Sequence, residues 1–414
     1  MDTVKKNYLR DLARRVKDLS ESEHNRNITK KYYDVNSLKE VSSPPITVKL
    51  PVQAVSEYMS GEELRIEDKL FSELEYKLKW KLCRAKKLGD DMPVTGMYYT
   101  GSFHTITPLM EGYKNVKFDA EYNTCSFEPC LNEYSDLKKM RVPELIVDHK
   151  KTDSVYEQIN DVLGDILTVV KGAPFSHTNG WGDSMIDLYY EMRGPLQTNY
   201  DLIDAPEFVH EAMDIMTNAK IRLLEQYKAE GILVLNNGES QIGSSSLGFC
   251  RELPGMDFNP ARINEKNLWG FAQAQEFSGI SKEMLEEFVL PYQAKIINRF
   301  GLSLYGCCEA MEQKIGSVEK YIKNLRMISI SPFTKHEIAA PLCKGKYVYA
   351  WKPQPSYITC FNGKMIEEEA KTVFEAVRGC CVTVTLMDVY NFEGSVNCFN
   401  TWLEIMRKAS AECF

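Results

Sequence analysis

The stretch that decides the fold is "FVLPYQAKIINRFGLSLYGCCE", running from Phe288 to Glu309. Its first half places apolar residues at helical spacing, with Pro291 set to kink or divide the helix. Its second half, beyond Gly301, is a short apolar run of the kind that forms a buried strand. A helix handing over to a strand through one glycine is half of a β/α repeat. The run closes on Cys307, Cys308 and Glu309, at the point where the strand ends.

The same rhythm extends in both directions. Strand candidates lie in "PVTGMYYT", "DILTVVKG", "GILVLNN", "LSLYGC", "RMISIS", "KYVYAWK" and "CVTVTLMDV". Between them stand amphipathic helices. "DAPEFVHEAMDIMTNAKIRLLEQYKAEG" starts near Pro206, stops before Gly231 and offers Val209, Met213, Met216 and Leu223 to one face. "GKMIEEEAKTVFEAVRG" reads the same way. Seven candidates with helical partners fit an α/β (β/α)8 TIM barrel in which one strand is weakly patterned; a doubly wound sheet is the alternative. Residues 1–90 read as a mostly helical N-terminal extension and 91–414 as the barrel. Within the extension, "SSPPITVKLPV" is extended or turn-like because Pro44 and Pro45 oppose a helix.

Composition removes several classes of function. The 414 residues carry a formal net charge of -8, which sets the chain against nucleic acid, and the basic runs "KLKWKLCRAKK" and "DLARRVKD" read as solvated helix faces. No stretch is long and apolar enough to span a bilayer, and the opening "MDTVKKNYLRDLARRVKDLS" lacks the apolar core of a secretory signal, so a cytoplasmic protein is expected. The 12 cysteines then read as reduced thiols, and the adjacent pairs Cys307–Cys308 and Cys380–Cys381 disfavour a disulfide within either pair. No dinucleotide fingerprint or P-loop follows any strand candidate. "KHEIAA" has Ala340 where a zinc-protease helix needs its second histidine, leaving His336 as surface or helix-end polarity.

From about Met92 onward, the order of "EPCLNEYSDLKKMRVPEL", "ILTVVKGAPFSH", "YYEMRG", "FVLPYQAKIINRFGLSLYGCCE" and "VTVTLMDV" resembles the uroporphyrinogen decarboxylase superfamily, and most nearly its corrinoid-linked methyltransferase branch. That resemblance implies a TIM barrel, a zinc ion and a corrinoid carried by a partner protein; a symmetric homodimer is a further expectation from it. In that branch the strand matching "LSLYGCCE" bears a His-x-Cys pair, then Gly and an acidic residue. Here Tyr305 takes the His position, Cys307 the Cys, Cys308 the Gly and Glu309 the acidic one. The later family cysteine falls near Met387 and Asp388. Against the decarboxylase branch stand the absence of an arginine-rich segment in "SSPPITVKLPVQAV" and the amide of Asn236 where an acid is expected.

Strand-end placement selects the candidate site residues. Cys307, Cys308 and Glu309 are the metal candidates, zinc or another soft metal, and packing at the barrel rim is the alternative. Cys307, Glu239 and Tyr305 are the catalytic candidates; Glu239 equally suits a turn, and Tyr305 equally suits barrel packing. Asn236, Gln241, His177, Trp181, Trp351 and Lys352 are the substrate-binding candidates, with Lys352 neutralising an anion and the tryptophans walling a flat ligand. The leading function is a methyltransferase-like enzyme acting with a methylated corrinoid, a small methyl donor or a thiol acceptor. A metal-independent decarboxylase or lyase, and a non-catalytic protein binding a corrinoid partner or small ligand, are the alternatives.

Overall fold

The computed structural model describes residues 2–113, 117–119, 124–126, 128–176 and 185–414, with backbone alone for 117–119 and 124–126. His177 and Trp181 lie outside these residues.

The strands of a (β/α)8-like barrel are β1 (Ile46–Val48), β2 (Met97–Tyr99), β3 (Thr168–Val170), β4 (Trp269–Ala272), β5 (Leu302–Tyr305), β6 (Leu325–Ile330), β7 (Val348–Trp351) and β8 (Cys381–Leu386), in two parallel sheets. Six of them form one sheet in the order β1-β8-β7-β6-β5-β4, and β2 pairs with β3. Six of the seven candidates supply these strands; the other two strands are β1, from the N-terminal extension, and β4, whose "WGFA" is too short to show a period. "GILVLNN" forms no ladder strand; it lies extended beside β3, with Phe175 N–H donating to Val234 O over 3.0 Å.

Two seams interrupt the wall, and side chains span both. Beside β1, Asp91 accepts from Ile46 N–H (2.9 Å) and Asp90 from Val48 N–H (3.0 Å), supplying the acceptors that a neighbouring strand would provide. Arg84 holds Asp90 in place over 3.0 Å. Between β3 and β4, Asn236 donates to Phe175 O and Trp269 O (both 3.1 Å) and accepts from Trp269 N–H (2.9 Å).

Helices cover the outside. Leu290–Ile297 begins at the break Pro291 imposes after Lys282–Phe288, and Pro206–Ala229 begins on its proline as expected. The extension is mostly helical, as its periodicity implies. Helix α1 (Thr3–Ser20), capped by Asp2, buries Leu9, Leu12, Ala13 and Val16 against Leu74, Leu78, Ile159 and Val162. Helix α2 (Glu23–Asn36) closes the N-terminal end of the barrel, where Val35 joins Leu304, Met327, Val348 and Cys381. The extension also supplies β1, so its chain is part of the wall.

Inside the barrel the usual layers of bulky branched side chains are thin, because β6, β7 and β8 point Ser329, Ala350, Thr383 and Thr385 inward. The space is taken by a hairpin, Gln241–Ile242 paired with Ser246–Leu247. Ile242 packs with Trp269, Phe271, Leu304 and Met327, while Ser244 Oγ lies 3.2 Å from Ser329 Oγ. Thr385 donates to Ser245 O, and Trp269 Nε1 donates to Gly248 O over 2.8 Å. A segment that touches β4, β6 and β8 at once lies within the ring they form. Gly243, at φ +53°, permits this approach, since a Cβ there would stand 2.2 Å from the Phe271 ring.

Candidate active site at the barrel mouth

Strand alternation settles which strand-end residues face the mouth. On β5, Leu304 points inward and Tyr305 outward; Gly306 would come next on the inward face, but its φ of +102° breaks the alternation and Cys307 packs against the lumen cluster instead. On β7, Ala350 points inward and Trp351 outward, which brings Lys352 in. The two positions converge: Lys352 Nζ lies 3.8 Å from Cys307 Sγ and 3.6 Å from Cys308 Sγ, and the sulfurs lie 3.6 Å apart. Lys352 Nζ also approaches Ser244 Oγ at 3.4 Å, and Asp388 Oδ2 stands 4.0 Å from Cys308 Sγ.

These contacts split the thiols. The hydrogen bond offered by Cys307 and the ammonium of Lys352 bring Cys308 down to about 7, against burial and the repulsion of Asp388. Cys307 is pushed up because its proton is held in that bond and its sulfur is the more buried. Cys308 is the more exposed of the two sulfurs and the one whose thiolate this arrangement favours.

Other expected site residues have structural work. Tyr305 is wholly buried and donates to Gln293 Oε1 over 3.0 Å, on the helix side of the wall. Glu309 accepts from Ala274 N–H at 2.9 Å and forms a buried ion pair with Lys314, facing away from the sulfurs. Trp351 packs edge-on against Phe374, with ring centroids 5.4 Å apart, and Asn236 closes the seam described above. Glu239 accepts from Thr95 Oγ1 (2.6 Å) and pairs with Lys81 (3.2 Å). Gln241 stays near the mouth, its Nε2 3.8 Å from Met387 Sδ. His336 stands at a helix end, as expected, but is not free surface polarity: its Nδ1 meets Tyr349 Oη at 2.6 Å, and burial lowers it to about 4.

The expected metal set therefore does not fit as arranged. Two thiolates on a tetrahedral zinc lie about 3.8 Å apart, close to the spacing seen, but Glu309 is committed elsewhere and the Lys352 ammonium sits against both sulfurs. Among the described residues no three His, Cys, Asp or Glu side chains are grouped to hold a metal ion. What the arrangement can do is hold a thiolate beside a fixed positive charge.

Ser244 and Ser329 escaped the sequence reading, and Asp388 entered it only as the place where the later family cysteine falls. Ser244 sits in a serine run that looks like a turn, Ser329 in a strand, and Asp388 follows β8 at φ +61°, a conformation aspartate tolerates better than most residues. The alternation of small polar residues in "RMISIS" is the signal that points to an unusual lumen.

No family model and no curated protein sequence matches the chain. Among solved structures, a methyltransferase from Methanosarcina mazei matches with a TM-score of 0.49 and 10% sequence identity, over 92% of this chain and 98% of that one. Among the described residues no helix is long and apolar enough to cross a membrane.

Proposed function

We propose that the barrel mouth is a thiol-centred methyl-transfer site in which Lys352 provides the positive charge that a metal would supply in the expected design. The observation that carries this reading is the convergence of Cys307, Cys308 and Lys352 within 3.8 Å of one another. An acceptor thiol entering the mouth meets the Cys308 thiolate, which takes its proton as general base; a group titrating near 7 is matched to that task. Lys352 then holds the acceptor thiolate. Its lone pair forms the S–C bond to the methyl carbon while the donor leaves with the electrons of the bond that breaks. A methylated corrinoid presented by a partner protein, or a small methyl donor, is the donor class implied by the resemblance in the sequence.

The test is methyl transfer from methylcobalamin to 2-mercaptoethanol by the purified chain, followed by the donor's absorbance and by mass of the thioether. Turnover that falls at least about tenfold in both Cys308→Ser and Lys352→Met, with the fold intact by circular dichroism, supports the reading. Wild-type turnover in either variant, or none in the wild type itself, sinks it.

A further inference from the structure

A cavity of about 700 Å³ opens between the antiparallel strand pair His104–Ile106 and Leu145–Val147 and two helices, Met185–Arg193 and Pro206–Ala229. It shares no lining residue with the cluster around Cys308. Its size falls within the range of small-molecule sites, and its walls are mostly apolar, with Leu109, Leu188, Met216 and Leu223 among them.

The polar groups in it differ in what they still lack. His104 has both ring nitrogens engaged, Nδ1 with Ser102 Oγ at 3.0 Å and Nε2 with Tyr227 Oη at 3.2 Å, and burial lowers its pKa, favouring the neutral ring. Lys220 is already engaged. Glu191 is different: its Oε2 accepts from the Tyr113 hydroxyl, a neutral donor, and among the described residues no cation pairs with it. Its carboxyl is raised by burial and by the charge of Glu276. A ligand with a positive charge would offset both effects, while a ligand carboxylate would add to them.

We propose that this cavity binds a small organic amine, its ammonium paired with Glu191 and its apolar body lying against Leu188, Met216 and Leu223. The Tyr113 bond engages Oε2, and among the described residues no donor engages Oε1, to which the ammonium would donate a charge-assisted hydrogen bond.

The experiment is calorimetric titration of the full chain with benzylamine, benzyl alcohol and benzoate at pH 7.5. Benzylamine is expected to bind at least about tenfold more tightly than either neutral or anionic analogue, and Glu191→Gln to lose that preference. Tyr113→Phe, which keeps the carboxylate, should still bind the amine and guards against a Glu191 variant that misfolds. Cys308→Ser should bind it unchanged, which separates this site from the barrel mouth. Benzoate binding as well as benzylamine, an unaltered affinity in Glu191→Gln, or no heat with any of the three would overturn the proposal.

Discussion

A thiol becomes useful at neutral pH only when something holds its anion, and here one lysine and one neighbouring thiol do so. Because Cys308 titrates low, at about 7, its thiolate is fully present above that pH and lost below it. The iodoacetamide alkylation rate of Cys308 should therefore level off above about pH 8, and Lys352→Met should move the midpoint upward towards the ordinary thiol range near 8.5. A midpoint that stays put in the variant would remove Lys352 from the account. Sequence made Cys307, Cys308 and Lys352 visible, because strand ends in a barrel are where chemistry gathers. It could not rank the two sulfurs, since that depends on which of them lies against solvent and which gives its proton to the other. Nor could it show that Tyr305 and Glu309 had partners elsewhere: Gln293 and Lys314 meet them only through the packing of helices on the wall.

At the scale of elements, the hairpin in the lumen and the helices outside are held by a few close approaches. Gly248→Ala would place a Cβ 2.0 Å from Asn236 O, a backbone atom that cannot step aside, and should cost at least about 3 kcal/mol, measured by urea denaturation. Asn236→Ala leaves Trp269 N–H and two carbonyls without their partner, and a loss of similar size, about 3 kcal/mol, is expected. His336 ties its helix, His336–Cys343, to β7 through Tyr349. Its folded pKa, about 4, lies below the unfolded value of about 6.5, so the unfolded chain binds the extra proton between those values. The stability this contributes is complete above pH 6.5 and is lost as pH falls towards 4. His336→Phe should flatten that acid limb by roughly 2 kcal/mol, and an acid limb equal to the wild type's would contradict the assignment. Strand and helix positions were largely legible because period and punctuation mark them. Strand β4 and the hairpin were not: "WGFA" is too short to show a period, and "GESQIGSSSLGF" has the composition of an exposed loop while lying in the interior.

For the whole molecule, the (β/α)8-like architecture followed from repetition of strand and helix along the chain. The part played by the extension did not, because "ITV" becomes a barrel strand only through pairing with residues more than 300 positions away. The seam beside it depends on carboxylates. Asp91→Asn keeps an acceptor oxygen but gives up the ion pair with Arg407 at 3.1 Å, whereas Asp91→Ala removes the acceptor for Ile46 N–H altogether. Hydrogen exchange at Ile46 should speed up at least about tenfold in the alanine variant and little in the asparagine one. Equal protection in both would mean that neighbouring backbone holds the seam closed. The hairpin in the lumen has one more consequence. In an ordinary barrel the floor of the active site is assembled from eight strands, and reshaping it requires changes scattered along the chain. Here one contiguous segment lies beneath Lys352, so this scaffold can acquire a new specificity by exchanging a single cassette.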